Sequence, residues 1–151
     1  MVNREPINKG LSQQHFEAML AASASPFNRL LGVEVVEFAK GRAVVGLLIR
    51  EEHLNPYGAV HGAAYCTLLD TVMGSVLRSL NIVGVTVDLN VNFLKAAEIG
   101  DYLAAEGEMV SEGNKIMLLR GTVFNQKEEK VSVGQGTFYR KGQFMQGENF
   151  L

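Results

Sequence analysis

The residues best suited to chemistry lie in one stretch of the chain, between residues 53 and 80. Those residues are Asn55, His61, Gly62 and Asp70. The loop over 55–58 contains the proline and the glycine that are typical of a turn. From His61 to Leu80 there is no proline and apolar residues dominate, which predicts a helix. A polar loop, a helix start and a carboxylate therefore follow one another directly.

Asp70 is the one acid of this apolar helix. No lysine or arginine lies three or four positions away, where the residues are Cys66, Thr67, Met73 and Gly74. An apolar helix is expected to be largely buried, and acids are rarely buried unless something requires them. Asp70 is therefore predicted to be a functional carboxylate, and a structural acid satisfied by backbone groups is the alternative.

The helix start offers a different chemistry. Its first backbone N–H groups are unpaired and carry partial positive charge, and Gly62 leaves that backbone open to a ligand. Such a position suits a developing oxyanion, whereas a carboxylate suits activation of water or attack on a carbonyl. His61 and Asp70 would point to roughly opposite sides of one helix, about 13 Å apart along its axis. If both ends serve one site, Asp70 should come from a second chain.

The spacing of these residues resembles the signature of hotdog-fold thioesterases, in particular the phenylacetate-degradation and mammalian acyl-CoA thioesterase type. The residues that carry the resemblance are His53, Asn55, Gly58, His61, Gly62 and Asp70. The segments Ser25–Glu37 and Gly84–Asp101 also resemble that family, so the likeness covers roughly residues 25–140. Two positions depart from the family pattern: Ala63 stands where a second glycine is common, and Thr86 where the family has serine.

The resemblance implies an enzyme that hydrolyses an acyl-CoA thioester to free acid and CoA. It assigns catalytic parts to Asp70, Gly62, Asn55, His61 and Thr86, and substrate-binding parts to Gly58, Ala63 and Asp88. Gly62 N–H and the Asn55 side chain would stabilise the oxyanion, and the partner's Asp70 would act as general base or as nucleophile. The implied mechanism needs no metal and no cofactor, and the implied assembly is a homodimer that pairs further into a homotetramer.

Composition agrees with one folded domain. At 151 residues and 47% hydrophobic, the chain can bury a proper core. We predict a single hotdog domain over 1–151, with a helical extension over 1–26 and a tail over 143–151. The net charge of −2 gives no electrostatic reason to bind nucleic acid or an anionic membrane. The single cysteine and the lack of a charged and then apolar leader favour a cytoplasmic protein.

Other chemistry fits these residues less well. Nothing in the helical neighbourhood of Cys66 would lower its pKa, so it is not expected to be a nucleophile. A metal site from His53, His61 and Asp70 fails because the helix separates the last two. Two functional classes stay open beside the thioesterase. One is a hotdog dehydratase, whose proline-rich loop is missing here, and the other is a non-catalytic acyl-CoA-binding protein.

The rest of the chain must position these groups. Ser12 is predicted to cap a helix that ends near Ser23, and six strands are predicted around the long helix. The predicted strands are Val33–Phe38, Arg42–Arg50, Gly84–Lys95, Tyr102–Ser111, Lys115–Asn125 and Val131–Arg140. One long helix inserted among strands predicts an α+β domain in which a mainly antiparallel sheet wraps around that helix.

The strand over Gly84–Lys95 alternates apolar and polar residues. The apolar set, predicted to face the helix, is Val85, Val87, Leu89, Val91 and Phe93. The polar set is Thr86, Asp88, Asn90 and Asn92. The polar face is either an ordinary solvent-facing surface or an interface between dimers. By the resemblance this strand is the open edge of the sheet, and we expect it to pair with a second copy.

Overall fold

Seven strands and three α-helices make up residues 4–145, the part of the chain that the computed structural model describes. The strands are β1 (Ile7–Lys9), β2 (Glu34–Ala39), β3 (Arg42–Leu48), β4 (Ile82–Phe93), β5 (Tyr102–Glu112), β6 (Ile116–Phe124) and β7 (Lys130–Gln143). The helices are α1 (Gln13–Ser23), α2 (Pro26–Leu31) and α3 (Gly62–Ser79), and a short 3₁₀ turn covers Glu51–His53.

The strands form one sheet in the order β1-β2-β3-β5-β6-β7-β4. Every neighbouring pair is antiparallel except β1 and β2. Helix α3 packs against this sheet and contacts β2 to β7. Its buried apolar side chains are Ala64, Tyr65, Leu68, Leu69, Val72, Met73, Val76 and Leu77. The predicted α+β hotdog architecture is confirmed, and β4 does lie at an edge of the sheet.

Small residues on the inner face of the sheet let α3 approach the strands closely. A Cβ added at Gly121 or Gly134 would lie 2.9 Å from a methyl group of Leu69. A Cβ added at Gly107 would lie 3.2 Å from Val72. Because these contacts are already tight, the helix is held against the centre of the sheet at one depth. That depth sets the position of every side chain on the opposite face of α3.

The N-terminal region contains two elements that the sequence pattern did not predict. The extension over 1–26 was expected to be helical, yet β1 lies within it and pairs in parallel with β2. Helix α2 begins where Ser25 accepts a hydrogen bond from the Asn28 N–H, and it ends at Gly32, whose φ is +80°. Both elements are too short to show a clear periodicity. The predicted α1 is confirmed, and its cap is Ser12 as expected.

The C-terminal expectation is tested only in part. The predicted tail began at Gln143, which is instead the last residue of β7. Residues 146–151 of the predicted tail lie outside the described part of the chain. Boundaries of the six predicted strands agree with the structure to within three residues.

The predicted alternation along β4 is wrong in its first half. Between Thr86 and Asp88 the pairing with β7 shifts by one residue, so Val87 forms a bulge. Before the bulge the helix-facing residue is Thr86, and after it Leu89 is the one that lies beside α3. Val85 and Val87, predicted to face the helix, are instead exposed by 48% and 62%. An inserted residue exchanges the two faces of a strand, which the alternating pattern alone could not reveal.

Candidate active site

His53 fixes the loop that precedes α3. Its ring is buried, Nδ1 accepts the Arg50 N–H at 3.0 Å, and Nε2 donates to the Leu31 carbonyl oxygen at 2.8 Å. Its own carbonyl oxygen accepts the His61 N–H at 2.8 Å. Both ring nitrogens are therefore used within the chain. His53 therefore has a structural role, because it holds the loop between α2 and the start of α3.

Asn55 organises the turn that leads into the helix. Its Oδ1 accepts the N–H groups of Tyr57 and Ala59, at 2.9 and 3.1 Å. Gly58 completes the turn with φ of +79°, a conformation that favours glycine, and donates its N–H to the Asn55 carbonyl oxygen. Because Oδ1 is bound to two donors, the side-chain amide nitrogen Nδ2 is the group left to donate to a ligand.

At the start of α3, one backbone N–H group lacks an acceptor among the described residues. His61 is the N-cap: its Nδ1 accepts the Ala63 N–H at 3.0 Å, and its carbonyl oxygen accepts the Ala64 N–H at 2.9 Å. Within residues 4–145 the Gly62 N–H has no acceptor. The helix start therefore directs one unpaired donor outward, at the positive end of the helix dipole.

The end of β4 covers this helix start. A Cβ added at Gly62 would lie 3.2 Å from Cζ of Phe93, a contact that leaves little room for any larger residue. The Phe93 ring meets Tyr65 edge-on, with 5.6 Å between centroids. The Tyr65 hydroxyl accepts the Ala97 N–H at 3.0 Å, and burial raises the pKa of Tyr65. Gly62 thus has a backbone N–H without an acceptor among residues 4–145, and the Phe93 ring packs tightly against its Cα.

Asp70 and Thr86 meet on the other side of α3. The Thr86 hydroxyl Oγ1 donates to Asp70 Oδ1 at 2.6 Å. The bulge at Val87 makes this contact possible, because it places Thr86 on the helix-facing side of β4. Asp70 is half-buried, and its second oxygen, Oδ2, has no hydrogen-bond donor among residues 4–145. The carboxylate is held in place by one oxygen and can accept a proton with the other.

The Asp70 carboxylate lines an open groove of about 490 Å³. One wall is the face of α3 that carries Asp70, Gly74 and Arg78 at intervals of four residues, and the others come from α2, β4 and β7. Cys66 also lines this groove, and burial raises the pKa of its thiol, with the Asp70 charge adding to the rise. A raised pKa agrees with the expectation that Cys66 is not a nucleophile.

Arg78 supplies the positive charge of the groove, a position that the sequence pattern did not predict. Its Nη2 donates to Ser75 Oγ at 2.9 Å, and its Nη1 lies 3.6 Å from where a Cβ at Gly74 would stand. Burial lowers the pKa of Arg78, and the Asp70 charge opposes that change. Arginine keeps its charge even so. The spacing of eight residues from Asp70, two turns along one face, was the signal in the sequence.

The start of α3 and the Asp70 carboxylate are separate places on one chain. Asn55, His61 and Gly62 do not line the Asp70 groove, and eight residues of helix separate Gly62 from Asp70 by about 12 Å along the axis. Ala63 is exposed, and its N–H already donates to His61 Nδ1. Asp88 is exposed and is not part of the groove.

Two further properties of the described residues bear on the site. Between residues 4 and 145, no three histidine, cysteine, aspartate or glutamate side chains come together in a way that could hold a metal ion. Over the same residues, no helix has the length and hydropathy needed to cross a bilayer.

These features define a member of a known family. The family model of the thioesterase superfamily matches residues 57–132, and the chain belongs to that superfamily, with its hotdog fold. Human acyl-coenzyme A thioesterase 13 is 27% identical over 116 residues, which are 75% of this chain and 82% of the human protein. Acyl-coenzyme A thioesterase PaaI of Escherichia coli K12 is 25% identical over 120 residues, 80% of this chain and 86% of PaaI.

Solved structures agree with this assignment. The E. coli PaaI protein from the phenylacetic acid degradation operon superposes with a TM-score of 0.81 at 23% identity, covering 89% of this chain and 98% of PaaI. A hypothetical thioesterase protein of Streptococcus pneumoniae TIGR4, solved with coenzyme A, gives a TM-score of 0.71 at 32% identity, covering 74% of this chain and 90% of that protein. Two further structures of the pneumococcal protein carry alanine in place of an aspartate and of a threonine sixteen residues later.

Proposed function

We propose that the protein is an acyl-CoA thioesterase whose active site is shared between two chains. The observation that carries this proposal is the arrangement of α3, with a free N–H at Gly62 and the Asp70–Thr86 pair about two turns further on, in a separate groove. Membership of the thioesterase superfamily supports hydrolysis of a thioester. The names of the human and E. coli relatives, and the coenzyme A bound to the pneumococcal one, support CoA as the thiol.

In this proposal the helix start stabilises the charge that develops on the thioester oxygen. The Gly62 N–H and the Asn55 Nδ2 group donate to that oxygen, and the dipole of α3 adds to their effect. Both donors are held in place before substrate binds, Asn55 by its turn and Gly62 by the His61 cap. Losing one such donor typically costs about 10²–10³ in rate.

The second chain supplies the carboxylate. The partner's Asp70 removes a proton from water, the hydroxide adds to the carbonyl carbon, the C–S bond breaks, and the CoA thiolate takes up the proton. In the other route Oδ2 itself adds to the carbonyl carbon, the thiolate leaves, and water hydrolyses the mixed anhydride. Thr86 orients the carboxylate in either route. Asp70 and Thr86 have the same spacing as the two residues replaced in the pneumococcal relative.

The proposed dimer forms along β4. This strand is the sheet edge opposite β1, and it exposes Val85 and Val87 beside unpaired backbone groups. An exposed apolar edge is a natural place for a second copy to pair. Two such dimers would meet across the outward polar face that carries Asn90 and Asn92, giving a cytoplasmic homotetramer.

The proposal is tested by hydrolysis of a panel of acyl-CoA esters with thiol detection, comparing the parent with Asp70→Asn. The amide keeps the size of the side chain, but it cannot accept a proton or attack a carbonyl. We expect kcat to fall by at least about 10² with the thermal melting temperature preserved. Glu17→Gln, an exposed carboxylate on α1 that bonds only Gln13 among the described residues, is the matched control.

Two outcomes would contradict this proposal. Activity of Asp70→Asn within a few-fold of the parent would remove Asp70 from the reaction. Binding of acyl-CoA esters without turnover by the parent would instead favour the non-catalytic acyl-CoA-binding protein. Mass spectrometry of the parent, quenched during turnover, separates the two routes, because only the nucleophilic route adds an acyl group to Asp70.

A further inference from the structure

The Asp70 groove contains a cation that the proposed hydrolysis does not use. The Arg78 guanidinium donates from Nη2 to Ser75 Oγ, and its Nε is buried without a hydrogen-bond partner among residues 4–145. Its Nη1, which lies beside Gly74 in the groove, also has no hydrogen-bond partner among those residues. A buried donor left unpaired is costly, and most are matched by a partner in the working state of a protein. The carbonyl oxygen of Arg78 accepts hydrogen bonds from His15 Nε2 at 2.8 Å and from the Asn81 N–H at 2.9 Å. The backbone at this end of α3 is therefore held in place.

Asp70 is not the partner of this cation. Its Oδ1 is bound by Thr86, and no carboxylate of residues 4–145 lies within ion-pair distance of Arg78. The other arginines whose pairs the structure records, such as Arg42 and Arg120, do contact glutamates. Arg78 thus differs from them in being buried beside the groove without a counter-ion in contact.

The lining of the groove is unusual for the binding of a plain alkyl chain. Pockets that take apolar ligands are lined mainly by apolar and aromatic side chains. Here hydroxyl and amide groups lie beside Asp70 and Arg78, among them Asn28, Thr67 and Thr71. Gly74 leaves the space between the carboxylate and the guanidinium open, since a Cβ there would come within 3.6 Å of Arg78 Nη1. The groove therefore has room between its two charges.

We propose that Arg78 binds a carboxylate at the far end of the acyl group, so that the preferred substrate is the CoA thioester of a short dicarboxylic acid. This inference rests on the proposed thioesterase function and names its substrate class. The same chain supplies Asp70 and Arg78, so one groove holds both the reacting carbonyl and the distal carboxylate. A guanidinium suits this task because its planar array of donors matches a carboxylate.

The geometry also sets an approximate chain length. The thioester carbonyl carbon must lie beside Asp70, and the guanidinium lies over Gly74, one turn further along α3. Four residues of helix rise about 6 Å. With C–C bonds of about 1.5 Å and angles near 111°, the five bonds between the two carbonyl carbons of an extended six-carbon diacid also span about 6 Å. Adipyl-CoA is therefore the probe, and hexanoyl-CoA, equal in length but without the second carboxylate, is its matched control.

The experiment measures kcat/KM for both esters with the parent protein and with Arg78→Met. We expect the parent to prefer adipyl-CoA by about 10- to 100-fold, the usual range for a charge-assisted hydrogen bond. Arg78→Met should lose that preference by lowering only the adipyl-CoA value, with hexanoyl-CoA changed less than about threefold. Arg120→Met, which removes an exposed guanidinium from the outer face of the sheet, should retain the parental preference.

The outcomes separate this inference from the function on which it rests. Hydrolysis of hexanoyl-CoA with no preference for adipyl-CoA, or an equal loss of both in a folded Arg78→Met, would overturn the part given to Arg78 and leave the thioesterase proposal intact. Hydrolysis of neither ester, nor of other acyl-CoA esters, would overturn both. If Arg78→Met does not fold, the inference is tested by the parental preference for adipyl-CoA over hexanoyl-CoA and by the same preference measured with Arg78→Lys. Lysine keeps the charge without the planar fork, so it should retain part of the preference.

Discussion

The two halves of the proposed site are built in different ways. The oxyanion half is mostly local, since residues 53–63 form it through their own backbone and the side chains of Asn55 and His61. The His53 side chain ties this segment to Arg50 and Leu31. The carboxylate half is assembled from distant elements: Asp70 comes from α3, Thr86 from β4 beyond a bulge, and the remaining walls from α2 and β7.

This difference shows which half depends on the rest of the molecule. A loop and a helix cap keep their geometry as long as the local hydrogen bonds form. The Asp70–Thr86 contact needs the correct register between β4 and β7 and the correct depth of α3 on the sheet. Substitutions that separate the two halves therefore test both the chemistry and the way the chain builds it.

The largest effect is expected when the two halves are damaged on different chains. Gly62→Pro removes the proposed oxyanion donor, and both it and Asp70→Asn should be nearly inactive alone. If the site is shared, a mixed dimer has one site with both defects and one intact site. Random pairing makes about half the dimers mixed, so co-expression should restore roughly a quarter of parental activity. No recovery in verified heterodimers would overturn the shared site, as would a monomer by light scattering at micromolar concentration.

The backbone at Gly62 is compatible with proline. The Gly62 N–H has no acceptor among residues 4–145, proline is favoured at the first position of a helix, and His61 has the extended backbone that precedes proline (φ −63°, ψ 135°). Any new Cβ must still meet Phe93. Gly62→Ala is the matched control, because it adds the same Cβ and keeps the N–H. It should retain at least tenfold more activity than Gly62→Pro.

An intermediate effect is expected from the contact that joins β4 to α3. Thr86→Val keeps the shape of the side chain but removes the hydroxyl that donates to Asp70 Oδ1. Hydrogen bonds to charged groups contribute about 1.5–3 kcal/mol, so we expect kcat to fall by about 10- to 100-fold. Thr86→Ser, which keeps the hydroxyl, should retain most of the activity. Equal activity in the valine and threonine proteins would show that Asp70 needs no orientation by this strand.

The smallest effect is expected at His61. Its Nδ1 caps α3 by accepting the Ala63 N–H, so His61→Ala should cost about 1 kcal/mol of stability. For a chain of this size that is about 2–4 °C in Tm, and kcat should fall less than about tenfold. Asn is a good N-cap residue, so His61→Asn should restore Tm. A hundredfold loss of kcat in both variants would mean that the imidazole takes part in the reaction directly.

The sequence predicted the oxyanion half better than the carboxylate half. The turn at Asn55, the helix start at Gly62 and the importance of Asp70 all follow from residue types and spacings within one segment. The family resemblance assigned Thr86 a catalytic part, but its contact with Asp70 was not predicted. Alternation along β4 placed Thr86 on the wrong face, because one bulged residue at Val87 reverses the pattern. Arg78 was missed because it lies two helical turns from Asp70, beyond the positions three and four residues away at which helical side chains pair directly.

The sequence by itself determined the class of fold, the order and approximate bounds of the main elements, and the local geometry around the start of α3. Those features depend on periodicity, turn residues and caps, which act over a few residues. Only the tertiary structure decided which side of β4 faces the helix, that α2 closes the groove, and that Arg78 lies buried in it without a counter-ion in contact among residues 4–145. Strand register and packing depth decide those features, because they bring together groups that lie far apart along the chain.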